Sequence, residues 1–356
     1  MAQHLTIKQI AELAGVSVGT VDRILHNRGR VSAESYAAVQ AVLDTQPYKC
    51  NLHTSAVALK KTNKSFRIVV SIPSSEEGEY WDLIRSGIDK ALQEYGDISI
   101  KTKYVFFDQF SSLSCRDAFN EIASLNCSAA ILGTTFVEET RELCARLDDK
   151  RTPYVFVDGK VSGTKPVATF LADQDACGRL MARLMDGLTP EGKELALLLP
   201  KRIGAKLSNN SAIRLVAFKA FFKETKRKRT IREGFFSAES AEKSRKDIFS
   251  FLKLCPKVGG VAAVISTAYL IADTVSAMGD KNMIVGGFDV TDGNARCLKD
   301  GNLDFLINQH PEEQGFNAVE SLLHYLLYGA LDKNIREYHP IGVVFKENLP
   351  FWQEES

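Results

Sequence analysis

No stretch of this chain approaches the roughly 18 consecutive apolar residues that a membrane helix requires. Its first residues, MAQHLTIKQI, lack the basic start and unbroken apolar run of a secretory signal. The cysteines, at 50, 115, 127, 144, 177, 255 and 297, are odd in number and form no C-x-x-C pair. These absences point to a reduced cytoplasmic setting without a membrane partner, in which each thiol is a small buried hydrophobe. Chemistry is equally thin. No G-x-G-x-x-G follows the first strand-like run, no G-x-x-x-x-G-K-[ST] or H-E-x-x-H occurs anywhere, and no G-x-S-x-G follows a strand-like run as a nucleophile elbow must. His4, His26, His53, His310, His324 and His339 make no metal-like grouping. No cofactor, metal or enzymatic activity is therefore expected.

What the chain does have begins at its N-terminus. The net charge is only +1, yet the first 61 residues hold seven Lys/Arg against four Asp/Glu, leaving 38 against 40 for the remainder. That mild basic excess suits a nucleic-acid-facing head on a near-neutral body. Thr6 and Gln9 form a T-x-x-Q capping box ahead of Ile7, Ile10, Ala11 and Ala14 at helical spacing. Gly15 stops that helix, and Ser17 caps a second with Val21, Ile24 and Leu25 inward. Ser32 caps a third, carrying Ala33, Tyr36, Val39, Val42 and Leu43 and ending before Pro47. Two helices joined by a tight Gly turn, with a third behind them, describe a helix-turn-helix whose second helix enters the major groove. Its outward positions are Val18, Gly19, Asp22, Arg23 and His26. Arg23 can read a guanine edge and Val18 a thymine methyl, while Thr20, Asn27, Arg28 and Arg30 suit phosphates. On spacing alone, a protein-interaction module with a solvated Arg23 is the alternative.

The string TIKQIAELAGVSVGTVDRILHNRGRVS resembles the DNA-binding head of the lac/galactose repressor (LacI) family. It carries every fixed letter of that family's T-I-x-x-[VI]-A-x-x-A-G-V-S-x-x-T-V-x-R-[VI]-L run. Thr6 and Ser17 complete the DNA-facing set that the resemblance implies. Asp22 departs from it, standing where the family usually has Ser. Next comes Tyr48-Lys49-Cys50-Asn51-Leu52-His53-Thr54-Ser55-Ala56-Val57, where the family has a Y-x-P-N-x-x-A-x-x-L hinge with a Leu wedge for the minor groove. Asn51 matches, but Cys50 replaces Pro, Thr54 replaces Ala and Val57 replaces the wedge Leu. The hinge reads as weaker than the family norm, and a plain linker over 48–62 is the alternative.

From Phe66 onward, apolar β-rich runs (RIVVSI, AAIL, PYVFVD, ELALLL, VAAVIS, MIVGGFD) alternate with amphipathic helical segments. This βαβα pattern predicts an α/β body of two parallel sheets, each with helices on both faces. Ligands of such sheets bind beyond the carboxyl ends of strands, which nominates Ser74, Thr134, Asp158, Thr267, Asp289 and Gln309. Each taken alone also reads as a helix cap or turn residue.

PYVFVD, R-L-V-A-F, V-G-G-F-D and I-N-Q-H-P-E-E-Q-G resemble, in order, the type I periplasmic sugar-binding fold that forms the sensor of LacI-type regulators. The resemblance implies that Asp158, Arg214, Asp289 and Gln309 contact ligand hydroxyls and that Tyr80 and Trp81 pack against a sugar ring. Asp158-Gly159 and Thr267-Ala268-Tyr269 depart from the Asp-Arg and Asn-Asp pairs common in sugar binders. The implied organisation is a DNA-binding domain at 1–47, a hinge at 48–62 and an effector domain at 63–356. Within the last, an N-lobe takes about 65–163 and 290–322, and a C-lobe about 164–289 and 323–356. The expected protein is a homodimeric repressor of double-stranded operator DNA, controlled by a small molecule, a sugar first and a nucleobase or phosphosugar next. A ligand-independent sensor is the further alternative.

Overall fold

The computed structural model describes residues 7–25, 31–45, 65–96, 98–202, 208–238, 240–329, 331 and 338–353. Thr6, Asn27, Arg30, Asn51 and Val57, and with the last two the hinge, lie outside them.

The head is three helices, α1 (Ile7–Ala14), α2 (Val18–Leu25) and α3 (Ala33–Thr45). Gly15, at φ +64°, ends α1, and Val16 N–H reaches back to Ala11 O at 3.0 Å, so the turn takes a left-handed residue that glycine adopts without strain. Ser17 Oγ accepts from Thr20 N–H at 3.0 Å and starts α2. Ser32 Oγ does the same for Ser35 N–H at 3.2 Å and starts α3. Ile10, Ala11, Val21 and Val39 form the small core, with Ile24, Val42 and Leu43 packed around it. Tyr36, one of the residues carried by the third helix, is exposed, because three short helices enclose only one face of α3.

The body has two six-stranded sheets. In the first, β1 (Phe66–Ser71), β2 (Ile100–Tyr104), β3 (Ala129–Gly133), β4 (Tyr154–Val157), β5 (Ala168–Ala172) and a late β11 (Tyr338–His339) are all parallel, in the order β11-β5-β4-β3-β1-β2. Helices α4 (Tyr80–Glu94), α5 (Ser112–Ser124) and α6 (Val137–Asp149) connect its strands. Alternation divides β1 between two cores: Ile68 and Val70 face one, Val69 the other. The second sheet, ordered β12-β10-β9-β8-β6-β7, comprises β6 (Glu194–Pro200), β7 (Ile231–Phe236), β8 (Val258–Ala263), β9 (Ile284–Phe288), β10 (Phe305–Asn308) and β12 (Gly342–Val344). Only β12 runs antiparallel. Its helices are α7 (Gln174–Leu188), α8 (Asn209–Glu224), α9 (Ala241–Leu254), α10 (Ala268–Ala277) and α11 (Asp292–Asp300). Helix α12 (Pro311–Tyr328) returns to pack on α4, and the short α13 (Pro350–Gln353) closes the chain.

Strand membership moves the lobe boundaries. The first sheet runs through β5 to Ala172, beyond the 163 read from sequence, because ATFLA pairs with β4 rather than opening the second lobe. The second sheet keeps β10, so the next passage between sheets falls near Gln309 instead of 289. The third lies between His339 and Gly342, not at 322, since β11 pairs with β5 and β12 with β10.

Candidate ligand cleft and DNA-facing helix

Between the two sheets lies a cleft of about 370 Å³ into which the carboxyl ends of strands from both lobes open. Ser74, Tyr80, Trp81, Asp158, Arg214, Thr267 and Gln309 line it. Ser74 follows β1 and its hydroxyl donates to Phe107 O at 3.3 Å. Tyr80 and Trp81 open α4 edge to face, centroids 5.3 Å apart, and the indole N–H donates to Gln109 Oε1 at 3.1 Å. Asp158 follows β4 at φ +72°, and its Oδ1 accepts from Tyr80 OH at 2.6 Å. Burial pushes the Asp158 carboxyl up to about 6, against the opposing pull of Tyr80 and Arg214.

Two of the residues nominated from sequence stand back from the wall. Asp289 is completely buried: Oδ1 accepts Gln309 N–H at 3.0 Å, and Oδ2 accepts Gln309 Nε2 at 2.8 Å and Ser266 Oγ at 2.6 Å. It shapes the loop that presents Gln309 and Ser266, and its own carboxylate is spent on doing so. Thr134 sits behind Gly159, where an added Cβ would meet its Oγ1 at 2.6 Å. That crowding accounts for the Gly after Asp158.

Arg214, buried in α8, holds the floor together. Its Nε donates to Gln174 Oε1 at 2.6 Å, Nη1 to Val264 O at 2.7 Å and Nη2 to Gln309 Oε1 at 2.6 Å, with the guanidinium 4.0 Å over the Phe288 ring. Gln174 stands two residues beyond β5, whose ATFLA is not among the apolar runs read from sequence, so the strand-end rule passed it over. Asn210 was legible in principle: it stands four residues before Arg214 on the same face of α8, and its Nδ2 donates to Asp158 O at 2.9 Å.

Sequence reasoning also missed the ties that draw the lobes together. Arg202, just after β6, donates from Nη2 to Gln109 O at 2.6 Å and from Nη1 to Thr135 O at 3.2 Å, and stacks 4.0 Å over Phe136. Burial lowers its guanidinium to about 10. Asn209 Nδ2 donates to Lys160 O at 2.9 Å, and Asp292 N–H to Gly78 O at 3.1 Å. Tyr269 hydrogen-bonds Glu79, whose carboxyl is raised by burial despite that bond, with Glu76 and Asp292 adding repulsion. A cleft bridged this way is closed.

On the head, Val18, Gly19 and Arg23 lie exposed along one side of α2, as the helical period requires. Arg23 Nε donates to Gly19 O at 3.0 Å, which lays the guanidinium along the helix. Thr20, half-buried, bonds the Ser17 hydroxyl at 2.8 Å, so both are committed to the helix start as well as available at its edge.

A helix-turn-helix ahead of two parallel α/β lobes closing on a polar cleft defines a sensor-type regulator architecture. Residues 68–330 match the family described as periplasmic binding protein domain, and residues 6–51 match bacterial regulatory proteins, lacI family. The chain belongs to the lacI family of bacterial regulatory proteins, with a periplasmic binding protein domain as its body. It is 34% identical over 91 residues to the HTH-type transcriptional regulator DegA of Bacillus subtilis, a stretch covering 26% of each chain. The chain thus spans about a quarter of that relative. Among solved structures, a putative LacI transcriptional regulator from Bacteroides fragilis superposes with a TM-score of 0.76 at 24% identity, covering 81% of this chain and 99% of that one. GanP, a glucose-galactose binding protein from Geobacillus stearothermophilus, does so at 0.66 and 19%, covering 81% and 99%. At these identities the likeness is one of fold. No described helix is long and apolar enough to cross a membrane.

Proposed function

We propose that this protein is a cytoplasmic transcriptional repressor that binds double-stranded operator DNA as a C2 homodimer and is controlled by a sugar in the interlobe cleft. The observation that carries the reading is the coupling of two parts in one chain. One is a helix-turn-helix with Val18 and Arg23 exposed on α2; the other is a closed polar cleft faced by an aromatic pair. Arg23 reads a base edge, Val18 and Gly19 lie against the groove floor, and Ser17 and Thr20 take phosphates. Thr6, Asn27, Arg30, Asn51 and the wedge residue Val57 extend the same interface. In the cleft, Asp158 and Gln309 hold ligand hydroxyls while the Tyr80–Trp81 pair covers the apolar face of the ring. Arg214, Thr267 and Ser74 complete the wall, with Asp289 and Thr134 supporting it from behind. No catalytic step is involved.

Ligand binding changes lobe closure and hence the spacing of paired heads, and the coupling equals the ligand's differential affinity for the two states. Selection of bound duplexes from a random library with the full chain, repeated with a sugar panel, tests this. Enrichment of a two-fold symmetric site, with one sugar altering its affinity, is expected. No enriched site, or one indifferent to every small molecule, would overturn the reading.

A further inference from the structure

Resting on that reading, we infer that the cleft takes an uncharged polyol and rejects its phosphate ester. The fold brings four helix N-termini to the cleft: α4, α8, α9 and α10, whose first residues or caps line it. A free helix N-terminus is the readiest phosphate site an α/β protein offers, because its N–H groups and dipole both favour an anion. Three of them meet an acceptor of the protein's own, and the fourth carries acidic groups. At α4 the N-cap is Glu79, which makes no side-chain capping bond, and Asp82 in the first turn takes Gly78 N–H, just ahead of the helix, at 2.9 Å. Ser208 Oγ accepts Ser211 N–H at 3.2 Å at α8, and Ser240 Oγ accepts Lys243 N–H at 3.2 Å at α9. At α10, Tyr269 N–H goes to Asn294 Oδ1 at 2.8 Å.

The charges agree. Among the described lining residues, Glu76, Glu79 and Asp158 face two guanidiniums and no lysine. Every nitrogen of Arg214 already donates to the protein, and both terminal nitrogens of Arg202 hold backbone carbonyls of the other lobe. An arginine recognises phosphate through a guanidinium fork turned to the ligand, and both forks here are engaged by the protein. A phosphate dianion entering here would be driven against carboxylates in a poorly solvated space. Hydroxyl groups fare oppositely, since an ionised carboxylate is purely an acceptor and takes O–H donors. The desolvation that raises the carboxyls of Glu79 and Asp158 also penalises an anion brought in beside them.

The test is calorimetry and thermal shift on the full chain with matched pairs: neutral pentoses, hexoses and inositol, each beside its monophosphate, with inorganic phosphate as a third arm. One neutral compound should bind, with its monophosphate weaker by about tenfold or more, the scale of a single like-charge contact at intermediate dielectric. Inorganic phosphate should not compete. Raising the salt, or the double substitution Glu76→Gln with Glu79→Gln, should narrow the gap between the members of a pair. A monophosphate that binds as tightly as its parent, or displacement by inorganic phosphate, would overturn the inference and leave the sugar reading standing. Silence from every neutral compound and every ester would overturn both.

Discussion

At the residue scale, Asp158 is the group whose surroundings say most. Its folded carboxyl lies near 6 against an ordinary 3.8, with desolvation the leading cause. The folded protein therefore holds this proton more tightly than the unfolded chain, so its contribution to stability falls as pH rises from about 4 to 6. The full difference is worth about 3 kcal/mol. Asp158→Asn keeps an acceptor for Tyr80 OH and removes the charge. Differential scanning calorimetry should find the variant more stable than the parent at pH 7.5, with the advantage gone near pH 4. An equal gain at both values would mean that the carboxyl is not desolvated. On the head, Arg23→Ala should cost about 1 to 3 kcal/mol at the operator and relax discrimination at one base pair. Equal losses on operator and random duplex in fluorescence anisotropy would make Arg23 a phosphate contact. Residues of this kind were legible because strand ends and helix faces follow from spacing. Asp289 shows the limit: the same rule nominated it, yet whether a carboxylate faces ligand or is consumed by Gln309 and Ser266 depends on residues 20 and 23 positions away.

At the scale of elements, the contact between α4 and α12 governs the cleft from behind. A Cβ on Gly87 would stand 1.9 Å from Glu312 O, and one on Gly315 would stand 2.1 Å from Ile84 O. Backbone faces backbone here, so no side chain can swing aside. Gly315→Ala must push the helices apart, at about 1 to 3 kcal/mol or more for overpacking. It also displaces the neighbouring Gln314, whose Oε1 accepts Asp158 N–H at 3.0 Å and whose Nε2 donates to Gln309 O at 2.9 Å. A lowered urea midpoint together with weakened ligand binding is the expected outcome; an unchanged midpoint would show that the helices are not this close. Apolar runs announced the central strands β1, β3, β4, β6 and β9, whose two covered faces demand them. The edge strand β2, IKTKY, alternates charged residues with the rest and gave no such run. β5 was read into the wrong lobe because five residues of strand say nothing about which sheet they join.

Over the whole molecule, Arg202 is the tie that reports closure. It leaves the second lobe and ends on two carbonyls and a ring of the first. Arg202→Ala removes all three contacts at once, while the masses of both lobes and their cores stay as they are. Small-angle scattering of the variant without ligand should show a larger radius of gyration than the parent, and saturating sugar should restore most of the difference. Identical curves for the two proteins would assign closure to Asn209, Asp292 and the Tyr269–Glu79 pair instead. On the proposed reading, ligand affinity should fall by the factor through which the closed state is depleted.

Local physics was enough to set the head and the class of the body. Capping hydroxyls, Gly15 and a 3.6-residue period act within a few positions, and alternating buried runs with amphipathic helices leave a parallel α/β body as the economical solution. The tertiary structure alone decided where the chain passes between lobes, which polar groups remain open to the cleft and which are spent on one another. Those outcomes turn on pairings such as β11 with β5, Arg214 with Gln174 and Gln309, and Arg202 with the opposite lobe. Each joins residues 40 to 167 positions apart, and no period or spacing carries information over that distance.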